Sequence, residues 1–252
     1  MAQVTITQST FPRPAGFIDS LVVPVQTSDV LPTEGIGQVW DYSYWVSDYN
    51  LVYTQIDATL DPVFTEALNE ESNDLIFAGM LITSNRYEAV DSNGWYIYGR
   101  HIDSVTYPLG SISGGANDSL YFLDHNDIYS GRVDNIPFPL TSQTQRSQSR
   151  QETIPFKVTI AAFGLNKTPG FRRRIVDREL EVVGSGTLMM PTSGGSPSAP
   201  FDVLLVKINR TLTDSFFLAG SPAPPTLLAA LGLTQGSVFQ DSAYNFYVPN
   251  YG

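Results

Sequence analysis

The stretch that most constrains this chain runs from Gly184 to Arg210, GSGTLMMPTSGGSPSAPFDVLLVKINR. Two apolar runs, Thr187–Met190 and Phe201–Ile208, flank ten residues dominated by Pro, Ser and Gly. Short apolar runs bounded by turn formers have the pattern of strands covered on both faces. Phe201–Ile208 carries only Asp202 and Lys207 as charges, which places it centrally in a sheet with Thr187–Met190 as its antiparallel neighbour. Gly184 and Gly186 signal a bend or bulge just before the first of the pair. A chain organised around such a pair is built from strands.

The rest of the sequence agrees. Val4–Thr7, Leu21–Val25, Gln38–Trp45, Leu75–Ile82, Lys157–Phe163, Ile175–Val183 and Ser237–Val248 read as further strands. Asn93-Gly94, between Asn85–Val90 and Trp95–Arg100, is a strong hairpin signal. Two short helices are expected, one near 62–71 opened by Asp61-Pro62 and one near 226–231 ending at Gly232. Ile136–Leu140 reads as a rigid connector with apolar anchors, and the polar tract Thr141–Thr153 as a surface loop or solvated edge. The expected fold is all-β: antiparallel sheets in a β-sandwich or jelly-roll arrangement, forming one large domain over 1–252 with a possible division near 136–153.

Charge narrows the function classes. The chain is 252 residues long, with a net charge of −11 and a pI near 4.4, so nucleic acid is not an expected partner. Arg172-Arg173-Arg174 with Arg178 is the one dense basic cluster. It reads chiefly as a solvated face paired with Asp177, Glu179 and Glu181, and secondarily as a contact for an anion or acidic glycan. There is no cysteine, which removes disulfides, thiolate metal sites and cysteine nucleophiles. No apolar run approaches the 18 residues of a transmembrane helix.

No catalytic motif stands out in the sequence. His101 and His125 are the only histidines and stand in no metal or triad pattern. Asp124-His125-Asn126-Asp127 resembles the start of a calcium loop, but Ile128 stands where a further oxygen ligand belongs. A polar turn without metal is expected there, and no cofactor. The aromatic block Trp40-Asp41-Tyr42-Ser43-Tyr44-Trp45 serves either core packing or a carbohydrate platform, with core packing favoured.

Several of these segments recur in a familiar order. Trp40-Asp41-Tyr42-Ser43, Pro137-Phe138-Pro139-Leu140, Gly184-Ser185-Gly186-Thr187-Leu188 with Pro191, Val203-Leu204-Leu205-Val206-Lys207 and Tyr244–Pro249 follow one another along the chain. The order resembles the N-terminal regions of proteins exported by the type IX secretion system of Bacteroidota. Those carry "WDFS"-like, "PFPL"-like and "GxGTLxxP…VLRxK"-like segments, and Leu205 departs from the last of them. The C-terminal sorting domain of such cargo is missing from these residues, which implies a trimmed chain or one processed or assembled differently. Met1-Ala2-Gln3 running straight into Val4 resembles a mature exported chain given an initiator methionine. The resemblance implies an extracellular or outer-surface address and little about chemistry.

Asp-Ser-apolar triplets at Asp19-Ser20-Leu21, Asp103-Ser104-Val105, Asp118-Ser119-Leu120 and Asp241-Ser242-Ala243 look like the O-glycosylation signal of that group. They mark Ser20, Ser104, Ser119 and Ser242 as candidate acceptors; Asp-Ser pairs also begin turns and strands. The expectation for function is a secreted, non-catalytic structural or adhesion protein, a self-associating filament subunit being one form of it. Its partners would be further copies of itself or other surface proteins and glycans. The uncharged ends of the chain, through Val4, Ile6, Tyr244, Phe246 and Val248, are candidates for strand addition to a neighbour. The alternatives are a carbohydrate-active hydrolase with two distant carboxylates and a glycan-binding module with Trp40, Trp45 or Trp95 exposed.

Overall fold

Strand accounts for 61% of the computed structural model and helix for 7%, so the all-β class stands. The structure describes residues 4–11, 13–24, 31–45, 47–192 and 196–250, and of residues 18–24 and 47–53 the backbone alone. Seven strands carry the argument: β1 (Gly35–Asp41), β2 (Ser84–Asp91), β3 (Gly94–Ile102), β4 (Gln145–Ile160), β5 (Leu165–Met189), β6 (Phe201–Leu218) and β7 (Ser237–Tyr247).

β5 and β6 form the spine, antiparallel from Gly170 opposite Leu218 to Leu188 opposite Phe201. The apolar run of β6 is covered on both sides, with Val203, Leu204, Leu205 and Val206 all at 0% exposure. Leu204 and Val206 pack with Ile6, Ile136, Phe138 and Leu140, so the expected connector supplies core anchors. Val203 and Leu205 face the other way, onto Trp40, Tyr42 and Leu188. Burying four such side chains accounts for roughly 1.5–3 kcal/mol each, and it explains the break in polar alternation along this run.

The register of β5 against β6 slips between Val182 and Gly184. Here β4, which flanks β5 up to Glu181, gives way to β1, which runs parallel to β5 from Gly184 to Met189. Every other strand pair among the described residues is antiparallel. A Cβ on Gly186 would stand 2.0 Å from the Gln38 carbonyl oxygen, and one on Gly184 2.9 Å from that of Gly35. Glycine is what lets the two backbones approach.

The spine belongs to a nine-stranded sheet; β2 and β3 form the centre of a six-stranded one. The expected hairpin is present, with Asp91 opposite Gly94 and Asp91 Oδ1 accepting from the backbone N–H groups of Asn93 and Gly94. Asn69–Ser72 lies beyond β2, while His125–Ile128 and Asp134–Pro137 flank β3. One end of the space between the sheets is filled by Phe77, Ile82 and Ile102 against Phe122, Phe156 and Phe216. Ser119–Phe122 pairs with Phe156–Thr159 of β4, across the 136–153 stretch.

Four local expectations are corrected. Residues 62–71 form turns and the start of Asn69–Ser72 in place of a helix. Asp61 does cap the segment, accepting from the N–H groups of Val63 and Phe64, but Phe64 turns inward to stack on Tyr87 at 3.8 Å and Leu68 N–H bonds to the Glu88 carbonyl. The second helix instead occupies Gly110–Ser113, while Pro225–Ala230 is helical as expected. His125–Ile128 is a strand rather than a turn, drawn onto β3 from Gly99 to Ile102. Residues 145–153 are an internal strand rather than a loop, held between β5 and Ser130–Arg132.

Candidate functional site

The terminal strands named by the sequence meet different fates. Thr5–Ile6 pairs with Leu140–Thr141, Ile6 is fully buried and Val4 packs against the same cluster. That end of the chain is consumed within the fold, which corrects Ile6 as an accessible edge residue. β7 pairs along β6 from Ser237 opposite Asp214 to Tyr247 opposite Leu204. Among the described residues no strand is paired to its outer edge.

Side chains of β7 pin it down at one end. Phe246 meets Trp40 edge-on at 5.0 Å, Tyr244 donates its hydroxyl to Glu34 at 2.7 Å, and Val248 packs against the same aromatic cluster. The other end shows Val238 and Phe239 to solvent, 60% and 57% exposed. A groove of about 700 Å³ lies at the pinned end, walled by Leu31, Tyr42, Trp45, Met190, Tyr244 and Phe246. The arrangement offers a row of backbone hydrogen-bonding groups next to apolar pockets, which is what an added strand uses.

A second feature, unsuspected from the sequence, lies between the two sheets. A cleft of about 580 Å³ is lined by six arginines, Arg86, Arg100, Arg150, Arg174, Arg178 and Arg210, against the carboxylates Glu152 and Asp241. Arg174 and Arg178 stand two turns of the pleat apart on β5, with Glu152 of β4 and Asp214 of β6 beside Arg174. Arg174 donates to both oxygens of Asp214 at 2.7 Å. Arg150 donates Nε and Nη2 to one oxygen of Glu152. Arg172, beside the cleft, is 3% exposed, with no hydrogen bond at Nε or Nη2 among the described residues and Asp214 4.0 Å from Nε, and burial followed by the neighbouring Arg174 pulls its pKa down to about 10. The basic cluster is therefore largely enclosed, which corrects its reading as a solvated face. Asp127 adjoins this region and burial pushes its carboxyl up to about 6.

The remaining candidates are dispersed. Ser104 and Ser242 are exposed, Ser119 is half-buried, and the side chain of Ser20 lies outside the described residues. Asp118 beside Ser119 is buried, accepting from Ser113 and from Ala161 N–H, so that triplet has a structural use. Trp40 is buried and Trp95 is half-buried, tilted against Phe11 at 5.8 Å and donating to Glu88; neither forms an exposed platform. The buried carboxylates Glu71 and Glu88 share Arg86 and Gln55, and both oxygens of Glu88 already accept from fixed donors, an arrangement unlike a free acid/base pair. Among the described residues no group of His, Asp and Glu is arranged to hold a metal ion, and no helix is long and apolar enough to cross a membrane.

Comparison with known proteins gives no matching family model, curated protein or solved structure for this chain.

Proposed function

We propose that this chain is an exported, non-catalytic protein of the extracellular space or outer cell surface, serving in adhesion or as a subunit of a surface structure, and that it joins neighbouring copies by strand addition at β7. The observation that carries this reading is the unpaired outer edge of β7 with Val238 and Phe239 exposed upon it. Long edge strands are normally blunted by lysine, proline or inward charge; the one charge on β7, Asp241, is tied to Arg210. The type IX-like order of segments supports the address. A head-to-tail contact through such an edge propagates into fibres unless it closes into a ring.

Light scattering across a concentration series tests it. Mass is expected to grow with concentration, and Phe239→Lys to return the protein to a folded monomer. A constant monomer mass for the unaltered chain overturns the self-associating part of the reading.

A further inference from the structure

In a chain of net charge −11, six guanidiniums around one cleft need an explanation, because buried charge is costly unless paired. Four of them have carboxylate partners: Arg86 with Glu71 and Glu88, Arg150 with Glu152, Arg174 with Asp214, Arg210 with Asp241. Among the described residues the other two form no ion pair with a carboxylate. Arg100, 8% exposed, donates to the Tyr129 hydroxyl, the Ser84 hydroxyl and the carbonyl oxygens of Asn73. Arg178 donates to the backbone oxygens of Asp134 and Asn135 and to Asn135 Oδ1. Neutral oxygens satisfy donor geometry, and the carboxylates that act on these two, Asp127 opposite Arg100 and Asp134 near Arg178, do so without an ion pair.

These two arginines come from facing sheets, Arg100 from β3 and Arg178 from β5. Spare donors surround them. Among the described residues Arg86 uses Nη2 alone and its buried Nε has no hydrogen-bond partner, and Arg150 and Arg174 each engage only Nε and Nη2. Between the charges the wall is aliphatic, with Ile97, Val133, Val176, Ile208 and Leu212. The volume is in the range of small-molecule sites, and guanidinium forks match planar oxyanions.

We infer that the cleft is a binding site for a compact organic anion carrying two or more carboxylate groups, one drawn to Arg178 and another to Arg100, with its carbon frame against the aliphatic wall. A free polycarboxylate and a short uronic-acid saccharide share this chemistry. The site is independent of strand addition at β7.

The test is isothermal calorimetry and thermal unfolding of the whole chain at pH 7.5 and constant ionic strength, with citrate, digalacturonate, sulfate and glucose. Millimolar citrate or digalacturonate is expected to raise Tm by several degrees, since a ligand of the native state stabilises it, and glucose to leave it unchanged. Binding by one of the two anions alone supports the inference and names the source. Arg178→Gln is expected to weaken binding at least tenfold, whereas Lys167→Gln at an exposed position keeps it. No shift beyond that of ionic-strength-matched chloride overturns the inference. So does unaltered affinity in Arg178→Gln, or a shift from sulfate equal to that from citrate. Should Arg178→Gln fail to fold, phenylglyoxal modification of the unaltered chain decides. Protection of Arg174 and Arg178 by citrate supports the site, and unchanged labelling overturns it.

Discussion

The same pair of strands, β5 and β6, solves two different problems along its length. Near Gly184 and Val203 both faces are closed by apolar and aromatic side chains, and Val203–Val206 of β6 drop to zero exposure. Around Arg174 and Asp214 one face is walled instead by guanidiniums and carboxylates. The apolar end gains stability from area removed from water. The charged middle gains little net stability from its pairs, because desolvation offsets their attraction. A segment that contributes so little to stability has another reason to be built of arginine, and the cleft it lines supplies one.

The comparison makes ordered predictions, readable by chemical denaturation. Leu205→Ala, at the apolar end, is expected to cost about 3–4 kcal/mol, the range for emptying a closed core. A cost below 1 kcal/mol would show that this end is not the anchor. Next comes Gly186→Ala, which forces β1 off β5; about 2 kcal/mol is expected from the clash with Gln38, with faster hydrogen exchange confined to 36–41 and 184–189.

In the middle, Asp214→Asn removes the partner of Arg174 and the nearest carboxylate to Arg172, 4.0 Å away. A loss of about 2 kcal/mol is expected, less than for a fully enclosed pair because Asp214 is part-exposed. The double variant Arg174→Met with Asp214→Leu is expected to return to within about 1 kcal/mol of the unaltered chain. A double variant as unstable as the single one would mean that the charged middle is itself a stabilising element.

The smallest effect concerns Asp127. Its folded pKa, raised by burial to about 6, lies above its unfolded value, so ionisation costs folding free energy. That cost begins as pH rises past about 4 and is complete above about 6 to 7. Asp127→Asn keeps an oxygen for the Thr153 N–H. It is expected to stabilise by about 1 kcal/mol at pH 7.5 and by nothing at pH 4. A gain independent of pH would place its cause outside titration.

What was legible in the sequence follows the same division. Phe201–Ile208 announces its two-sided burial because leucine and valine have one use in a short run. Asn93-Gly94 marks the hairpin, although its loop is Ser92-Asn93 with Gly94 opposite Asp91, held by Asp91 Oδ1 without the left-handed backbone of an Asn-Gly turn. Gly184 and Gly186 mark the bulge, although the parallel approach of β1 depends on a partner far away in sequence. The arginines of 172–178 and the polar residues of 145–153 mislead for one reason. A strand with a charged cleft on one side alternates like a strand in water, and pattern alone does not separate the two. The helix expected after Asp61 fails because Phe64 finds Tyr87, a contact no local signal encodes.

The handover at the bulge has a bearing on how the molecule comes into being. β1 meets β5 roughly 150 residues further along the chain, Thr5–Ile6 waits for Leu140–Thr141, and Thr10 accepts a bond from Asn250 N–H at 2.7 Å. Loop-closure entropy is lost before such distant contacts can reward it, and folding of this kind is slow. During synthesis the first strands emerge long before their partners exist. Thr5–Ile6 and β1 therefore lack their partners until residues 140–141 and 184–189 have been made, so these two pairings close late.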